Sequence, residues 1–321
     1  MTDCLLLCVT EIRREAPEVL RFELRDRLGR ELPAYEPGAH LDIDLPNGLR
    51  RSYSLLGDAR GQRCGVYSIA VQRESASRGA SAWFHDAARV GATLRAGLPC
   101  NGFDLADSPE HALFVAGGIG ITPLLSMLAA RTRLGRPWEL HYSYATRRQA
   151  AFVDRLRDLQ ARSGGLGRVA LHASRERKAR LDVGALLKGL APRAHVYCCG
   201  PASLIDAFVA AAAGRAADTV HVERFQAEHG AAAGGFEVEL ARSGRRIAVA
   251  PGSSLLDALL DAGLGLSFSC TQGVCGTCRI GVLAGIPDHR DSCLTQDERD
   301  ANDVVIACCS GARSASLVLD L

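Results

Sequence analysis

Alternation of polar and apolar residues predicts several short strands in the first hundred residues. Residues 40–45 alternate, a Pro-Asn-Gly turn follows, and residues 51–55 and 65–71 form two further extended runs. A short helix is predicted at residues 80–88. Several short strands separated by turns favour a small β-barrel or sandwich for this part of the chain.

Between residues 112 and 223 the pattern changes to alternating strands and helices. Strands are predicted at residues 112–116, 138–144, 168–173, 195–199 and 219–223, and helices at residues 123–133, 149–161, 182–188 and 201–213. This order predicts a parallel sheet with helices on both faces and right-handed connections. Residues 112–130 carry no charge and could span a bilayer by length alone. Three glycines and a proline interrupt that stretch, so a strand, a turn and a buried helix explain it better, and no membrane contact is expected.

Charge and length divide the chain further. The 321 residues suggest two or three domains, and the formal net charge of +2 is too balanced for a nucleic-acid-binding protein. Residues 236–321 nevertheless carry a net charge of −4, against +6 for residues 1–235. A glycine-rich stretch at residues 227–235 lies before the acidic segment. We therefore expect a flexible linker there, followed by a separate small domain.

Cysteine usage points to a reducing compartment. Twelve cysteines in so long a chain are too few for a disulfide scaffold, and the N-terminus lacks the basic region of a secretory signal. A cytoplasmic protein with reduced thiols is expected. In such a protein a cluster of cysteines indicates metal binding or catalysis before it indicates disulfides.

Two strand ends of the predicted parallel sheet carry turns suited to a ligand. Gly117, Gly118, Gly120 and Pro123 form one, and Cys199, Gly200 and Pro201 form the other. Ligands of such sheets bind at the carboxyl ends of the strands. The first turn is predicted to open a helix at Pro123, a favoured first position. It lacks the G-x-G-x-x-G fingerprint, and a tight structural turn is the alternative for each.

Two polar clusters lie in the first hundred residues: Arg51, Ser52, Tyr53 and Ser54 in one, and Arg78, Gly79, Ala80 and Ser81 in the other. An arginine offers a planar, permanently charged group to a phosphate. A helix that begins with Gly and Ser offers N–H groups and a hydroxyl to an anion. An ordinary capped helix is the alternative interpretation.

The cysteine spacing is the most specific pattern in the chain. Cys270, Cys275, Cys278 and Cys308 follow the spacing C-x4-C-x2-C-x29-C. The first three match the plant-type [2Fe–2S] pattern, whereas zinc sites usually have a second C-x2–4-C pair, which is missing here. Cys308 and Cys309 are adjacent, and neighbouring side chains of an extended segment point in opposite directions. One of them is therefore expected to bind the cluster: Cys308 by spacing, with Cys309 as the alternative.

Taken together, these motifs resemble the phthalate dioxygenase reductase family, whose members serve Rieske-type oxygenases such as vanillate O-demethylase and carnitine monooxygenase. The motifs are RSYSL at 51–55, SRGAS at 77–81, AGGIGITPLLSM at 116–127, CGP at 199–201, VERF at 222–225, SCTQGVCGTC at 269–278, PDHRDSCLT at 287–295 and CCS at 308–310. The resemblance covers the whole chain. It implies an antiparallel flavin-binding β-barrel at residues 1–105, a parallel-sheet nucleotide-binding domain at 106–226, a linker at 227–235 and a plant-type ferredoxin (β-grasp) domain at 236–321.

The resemblance also implies roles for individual residues. Those expected at FMN are Arg51, Ser52, Tyr53, Ser54, Val71, Gln72, Gly79, Ala80, Ser81, Thr122 and Phe225. Those expected at the nicotinamide nucleotide are Gly117, Gly118, Gly120, Pro123, Ser143, Arg147, Cys199, Gly200 and Pro201, with Thr122 and Cys199 at the contact between nicotinamide and flavin. Cys270, Cys275, Cys278 and Cys308 are expected to hold the [2Fe–2S] cluster. The chain departs from the family at Ala80, where glycine is usual, and Ser143 and Arg147 could tolerate a 2′-phosphate, which leaves NADPH possible beside NADH.

The implied function is an NADH-dependent oxidoreductase without an acid–base residue. It would accept a hydride from NADH on FMN and pass single electrons through the cluster to a separate Rieske-type oxygenase, itself remaining a monomer. The partner would choose the substrate among vanillate-type aromatic ethers, phthalates and compounds such as carnitine. Alternatives are a reductase that feeds a cytochrome P450 or a dye, an FAD enzyme, a non-catalytic redox-sensing iron–sulfur protein and a zinc-stabilised scaffold.

Overall fold

A computed structural model describes residues 4–57, 65–75, 77, 79–177 (without the side chain of residue 177), 179–225, 232, 235–268, 270–271 and 273–321. Arg78, Ser269 and most of the expected linker at 227–235 lie outside the described residues. The chain divides into two compact units, Met1–Glu223 and Arg224–Leu321.

The first unit begins with an antiparallel barrel. Its elements are β1 (Leu5–Ala16), β2 (Val19–Asp26), β3 (His40–Asp44), β4 (Arg50–Ser54), β5 (Tyr67–Gln72), α1 (Ala80–Asp86) and β6 (Thr93–Ala96). The strands lie in the order β4-β3-β6-β1-β2-β5. The backbone N–H of Leu56 donates to the carbonyl of Ser68 at 2.9 Å, which joins the chain after β4 to β5 and brings the two edges of the sheet together. Inward-facing residues such as Phe22, Leu41 and Ile69 fill the interior.

The rest of the first unit is a parallel sheet with helices. Its elements are β7 (Ala112–Gly117), α2 (Ile121–Arg133), β8 (Trp138–Tyr144), α3 (Val153–Arg162), β9 (Gly167–Ala173), α4 (Ser174–Arg177), α5 (Val183–Leu187), β10 (His195–Cys199), α6 (Ala202–Ala211) and β11 (Val220–Glu223). The strands lie in the order β11-β10-β7-β8-β9, all parallel. This confirms the predicted parallel sheet. One face of β7 and β10 packs against α5 and α6 through apolar side chains.

Two helix starts differ from the prediction. Helix α2 begins at Ile121 and not at Pro123, because residues 118–120 form a single 3-10 turn that leads directly into it. Helix α3 begins at Val153 and not at residue 149. Residues 147–149 form a 3-10 turn, and Phe152 takes a left-handed conformation with φ of 63°, so a continuous helix is excluded there.

The second unit contains a mixed sheet. Its elements are β12 (Phe236–Leu240), β13 (Arg246–Val249), α7 (Leu255–Asp261), β14 (Arg279–Ala284), β15 (Pro287–Asp288), α8 (Gln296–Ala301), β16 (Val304–Ile306), β17 (Gly311–Ala312) and β18 (Ser316–Leu319). Five strands lie in the order β13-β12-β18-β14-β16, with β12 parallel to β18, and β15 pairs with β17. Both helices begin at side-chain caps: Ser254 accepts from the N–H of Asp257, and Thr295 forms a capping box with Glu298.

Candidate functional site

The first unit contains a cavity of about 420 Å³ between the barrel and the carboxyl edge of the parallel sheet. The barrel contributes Ala16, Glu18, Val19 and Gln72; the sheet and its loops contribute Gly117, Gly118, Ile119, Tyr142, Ser143, Tyr144, Ala145, Gln149, Ala151, Ser174, Arg180, Leu181, Pro201, Ser203, Leu204 and Ala207. This volume is within the range of small-molecule and cofactor sites. The cavity lies at the sheet edge where parallel sheets bind their ligands.

The floor of the cavity depends on close packing between two strand ends. A Cβ atom on Gly120 would lie 2.3 Å from the carbonyl oxygen of Cys199, and one on Gly117 would lie 2.6 Å from the ring of Pro201. Any side chain at these positions would push the turn after β7 away from the turn after β10. Part of this glycine pattern therefore serves backbone packing, which was the structural alternative for the motif.

The structure divides the residues expected at the nicotinamide nucleotide into three groups. Four of them line the cavity: Gly117, Gly118, Ser143 and Pro201. Four others lie in the adjoining elements: Gly120 and Gly200 in the turns, Cys199 at the end of β10, and Pro123 in the first turn of α2. Arg147 lines a neighbouring cavity and pairs with Glu176, with Nε 3.3 Å from the carboxylate.

A buried carboxyl group accompanies Cys199. Cys199 and Glu223 end the neighbouring strands β10 and β11 in direct register, and their side chains share a hydrogen bond. Burial raises the pKa of Glu223 to about 8, although the hydrogen bond from Cys199 opposes this. Burial, followed by the nearby carboxylate, raises the pKa of the Cys199 thiol well above its usual range. Both groups are therefore protonated and uncharged at neutral pH.

The residues expected at FMN come from three barrel segments, and the structure brings these segments together. The ring of Tyr53 on β4 packs edge-to-face against Phe84 of α1, with centroids 5.1 Å apart. The side chain of Asn47, in the turn before β4, donates to the carbonyl of Gly79 at the start of α1. Ser81 of α1 accepts a hydrogen bond from the backbone N–H of Glu74, two residues beyond β5.

The polar groups of this corner suit a flavin and its phosphate. Ser81 Oγ donates to Ser77 Oγ at 2.9 Å, and Ser77 Oγ also accepts from the backbone N–H of Gly79. Arg51 supplies a guanidinium near the ring of Tyr53. Burial raises the pKa of Tyr53 above its usual range, so its hydroxyl stays a hydrogen-bond donor. Hydroxyls and a permanent cation are the donors that a phosphate monoester requires.

The remaining flavin candidates differ in position. Ser52 donates to Asp42 Oδ1 at 2.5 Å, while Ser54, Val71 and Ala80 are buried in the barrel wall. Gln72 ends β5 and lines the cavity. It therefore lies between the cavity, called here the nucleotide groove, and the cluster of Tyr53, Gly79 and Ser81, called here the flavin corner. Thr122 is buried, and its hydroxyl donates to the carbonyl of Ile119 at 2.9 Å. Phe225 is half-buried and belongs to the second unit.

The second unit brings the four predicted cysteine ligands together. Cys308 lies within hydrogen-bonding reach of Cys270 and Cys278, and Cys275 within reach of Cys270. Backbone N–H groups donate to sulfur, among them that of Gly273 to Cys308 at 3.2 Å and that of Cys270 to Cys275 at 3.5 Å. Gly273 and Gly276 take positive φ values of 73° and 71°, which lets the loop fold around the thiols.

The hydrogen bonds among the four thiols change their pKa values. Hydrogen bonding with Cys270, reinforced by burial, raises the pKa of Cys275, and hydrogen bonding with Cys270 and Cys278 raises that of Cys308. The hydrogen bond from Cys308 lowers the pKa of Cys278. In the described part of the chain, no three His, Cys, Asp or Glu side chains are arranged to hold one metal ion. A [2Fe–2S] cluster divides four thiolates between two iron atoms, and four neighbouring thiols suit this arrangement.

The structure also separates the two adjacent cysteines. Cys308 Sγ accepts the N–H of Gly273 from the cysteine loop, whereas Cys309 Sγ is directed at the carbonyl of Ile306, 3.8 Å away. The segment after β15 is hydrogen-bonded to the same loop: the N–H of Ser292 donates to the carbonyl of Gly273 at 2.8 Å. This geometry favours Cys308 as the fourth ligand.

Sequence reasoning missed three residues that the structure places at or beside the cavity. Glu223 was quoted only as part of a motif, although an acidic residue at the end of a strand among apolar neighbours could have indicated a special role. Ser174 and Arg180 follow the nearest preceding residue predicted at the nucleotide, Arg147, by 27 and 33 residues, and the sheet order brings them to the cavity.

Comparison with known proteins gives two domain matches. Residues 114–210 match the oxidoreductase NAD-binding domain, and residues 238–313 match the 2Fe-2S iron-sulfur cluster binding domain. The chain is 47% identical to the phenoxybenzoate dioxygenase subunit beta of Ectopseudomonas oleovorans, over 95% of this chain and 94% of that protein.

Two solved structures resemble nearly the whole chain. Phthalate dioxygenase reductase, described as a modular structure for electron transfer from pyridine nucleotides to [2Fe-2S], is 36% identical with a TM-score of 0.81 and covers 99% of this chain and 98% of its own. An intact type IV self-sufficient cytochrome P450 monooxygenase is 36% identical with a TM-score of 0.78, covering 99% of this chain and 41% of its own.

These likenesses confirm several expectations. The order of flavin-binding barrel, nucleotide-binding domain and ferredoxin domain is confirmed, as are an oxidoreductase activity and the set FMN, NADH and [2Fe–2S] cluster. Within the described residues, no helix is both long and apolar enough to cross a membrane. The expected monomer and cytoplasmic location stay predictions.

Proposed function

Because the chain belongs to the phthalate dioxygenase reductase family, we propose that it is the reductase of a Rieske-type oxygenase system and delivers its electrons to a separate oxygenase chain. A single observation supports the arrangement within the first unit. One cavity is lined both by Gln72, beside the flavin corner of the barrel, and by Gly117, Gly118 and Pro201 at the strand ends of the parallel sheet. A nucleotide bound along this cavity would therefore have one end next to the flavin.

The chain's own residues then have separate tasks. The turns at Gly118 and Pro201 present backbone to the nucleotide, and the buried, uncharged pair of Cys199 and Glu223 keeps the floor beneath the nicotinamide free of charge. Such an environment favours a close, dry approach of two flat rings. When bound, FMN supplies the conversion of a hydride into single electrons and the [2Fe–2S] cluster supplies a one-electron carrier.

Tyr53 and Ser81 would hold the flavin from the barrel side, with Arg51 as the cation for its phosphate. Cys270, Cys275, Cys278 and Cys308 would hold the cluster. In this scheme no side chain is required to transfer a proton. A hydride moves as one unit with its two electrons, and the redox chemistry is that of the cofactors.

The relatives' names suggest the substrate class of the oxygenase. Phenoxybenzoate and phthalate are both aromatic carboxylates, so we infer that the partner oxygenase hydroxylates or cleaves an aromatic acid. The reductase itself would not contact that acid. The choice of substrate would rest with the partner.

Reconstitution tests this proposal. The purified holoprotein is mixed with purified candidate Rieske-type oxygenases, NADH and a panel of aromatic acids, and product is measured. We expect product only when reductase, oxygenase and NADH are all present. The Cys308→Ser variant should lose product formation yet still pass electrons from NADH to a small dye that accepts them from the flavin. Equal product formation with Cys308→Ser would contradict the assigned route.

The likeness to a self-sufficient cytochrome P450 favours a haem monooxygenase as the second candidate acceptor. The two acceptors are distinguished by the rate at which NADH reduces each of them through this protein. Faster reduction of a purified cytochrome P450 than of any Rieske oxygenase from the same source would favour the second candidate.

A further inference from the structure

The nucleotide groove extends across four strand ends. Pro201 follows β10, Gly117 ends β7, Ser143 lies near the end of β8, and Ser174 follows β9. Adjacent strands are about 4.8 Å apart, so three steps span about 14 Å. The nicotinamide end lies toward β10 and Cys199, which places the adenosine at the end formed by β8 and β9.

The adenosine end of the groove carries a cation and lacks a carboxylate. Of the described residues that line the cavity, Arg180 is the one cationic side chain, and the single acidic residue, Glu18, belongs to the barrel. Dinucleotide-binding sheets select NADH with a carboxylate that accepts from the ribose 2′-hydroxyl, and they accommodate the 2′-phosphate of NADPH with an arginine. This groove has the second arrangement.

The nearest acidic side chain is already engaged. Glu176 lies on the far side of Tyr144, in a neighbouring cavity. One of its carboxylate oxygens accepts the backbone N–H of Arg147 at 2.8 Å, and the other lies 3.3 Å from the Nε atom of Arg147. Arg147 and Glu176 therefore form an ion pair that lines the neighbouring cavity, and neither of them lines the groove. Discrimination between NADH and NADPH, which was expected at Ser143 and Arg147, is therefore sought at the end of the next strand, β9.

Two of the polar side chains that line the cavity lie beyond the end of β9. Arg180 is exposed and forms no ion pair with any residue of the described chain. Ser174 is half-buried, and its hydroxyl donates to the carbonyl of Tyr144 at 3.2 Å, which fixes it at the mouth of the groove between β8 and β9. A guanidinium is a donor for a phosphate monoester, and the Ser174 hydroxyl can join it by turning its single hydrogen from the Tyr144 carbonyl to the phosphate.

We propose that Ser174 and Arg180 form a 2′-phosphate subsite, so that the protein uses NADPH as well as NADH. This inference rests on the proposed function, because it takes the cavity to be the nucleotide groove. It makes no use of the oxygenase partner.

Calorimetric titration of the holoprotein with two adenosine fragments tests the subsite. The fragments are adenosine 2′,5′-bisphosphate and 5′-AMP, which differ only in the 2′-phosphate. We expect the bisphosphate to bind about tenfold more tightly, as a charge-assisted pair at a partly exposed site allows. In Arg180→Gln the ratio of the two affinities should fall to about one, and Ser174→Ala should lower it in part.

Arg157→Gln is the matched control. Arg157 lies in the neighbouring cavity, where it pairs with Asp154, and its removal should leave the tenfold ratio in place. As a second readout, Ser174→Asp should lower kcat/KM for NADPH relative to NADH by about tenfold or more, because a carboxylate repels the 2′-phosphate.

Tighter or equal binding of 5′-AMP, no binding of either fragment, or an unchanged ratio in Arg180→Gln would overturn the subsite. Failure of the oxygenase reconstitution would leave these affinities unaffected, so the two proposals fail separately. If the preference for the bisphosphate falls equally in Arg157→Gln and Arg180→Gln, it would arise from the general positive charge of this surface. That result would also overturn the subsite.

Discussion

At the scale of single residues, Cys308 and Cys309 provide a direct comparison. Of these two, Cys308 is the one that accepts a hydrogen bond from the described residues of the cysteine loop, through the N–H of Gly273. We expect purified Cys308→Ser to contain about tenfold less iron–sulfur cluster than the unaltered protein. Cys309→Ser should keep its cluster. Iron and sulfide analysis and the visible spectrum measure this. Loss of the cluster from Cys309→Ser, with the cluster kept in Cys308→Ser, would show that Cys309 and not Cys308 is the fourth ligand.

The buried carboxyl of Glu223 predicts a pH dependence of stability. Burial raises its pKa to about 8 from an ordinary value of 4.5, so the folded chain holds this proton while the unfolded chain releases it. The stability contributed by the proton is present below pH 4.5 and is lost as the pH rises toward 8. The loss is on the order of 5 kcal/mol, which is about 1.4 kcal/mol for each tenfold change in the acid dissociation constant.

Glu223→Gln removes this titration. Thermal unfolding at about pH 5.5 and about pH 8.5 should therefore show a smaller fall for the variant than for the unaltered protein. Glu110→Gln, on an exposed side chain, is the control and should keep the original fall. Parallel pH profiles for all three proteins would contradict a protonated Glu223.

Sequence reasoning at this scale succeeded where chemistry requires a fixed spacing. The four cysteines were predicted together because a cluster loop fixes the distance between its ligands along the chain. Glu223 and Arg180 escaped notice because their roles come from neighbours that are far away in sequence. Cys199 meets Glu223 only through the pairing of β10 with β11.

At the scale of elements, the meeting of the turns after β7 and β10 can be tested by adding one carbon. Gly120 has an ordinary φ of −61°, so alanine brings no backbone strain, yet its Cβ would lie 2.3 Å from the carbonyl of Cys199. Overpacking of this kind costs about 1–3 kcal/mol. For a unit of this size the midpoint of thermal unfolding should fall by roughly 3–10 °C.

Gly102→Ala is the matched control for this substitution. Gly102 is exposed, and a Cβ atom there would meet no heavy atom within 4 Å. Its midpoint should move by less than about 2 °C. Equal midpoints for the two variants would mean that the two turns have room to separate.

Element prediction depended on how regular each pattern was. The parallel strands were found to within one or two residues, because apolar runs buried on both faces leave little ambiguity. Strands β1 and β2 were not predicted. Their pairing is irregular between Val9 and Glu11 and again between Arg14 and Ala16, and each irregularity disturbs the two-residue alternation on which strand prediction relies. The start of α3 was displaced by the left-handed Phe152, whose conformation the sequence does not announce.

At the scale of the whole molecule, the charges are distributed unevenly. Residues 236–321, which hold the cysteine cluster, carry a net charge of −4 in a protein of net charge +2. We expect electron transfer to the oxygenase to depend on ionic strength, because charged surfaces steer encounter and salt screens them. Stopped-flow measurement at about 20 mM and about 500 mM salt tests this. A rate that ignores salt would contradict electrostatic docking.

Electrons from NADH are expected to reach the iron–sulfur cluster within this one chain. Anaerobic mixing of the holoprotein with NADH, followed by visible and electron paramagnetic resonance spectroscopy, measures this transfer. We expect bleaching of the flavin and the appearance of the signal of a reduced [2Fe–2S] cluster, with Cys308→Ser giving only the flavin change. A reduced flavin beside a cluster that stays oxidised in the unaltered protein would show that electrons do not follow this route.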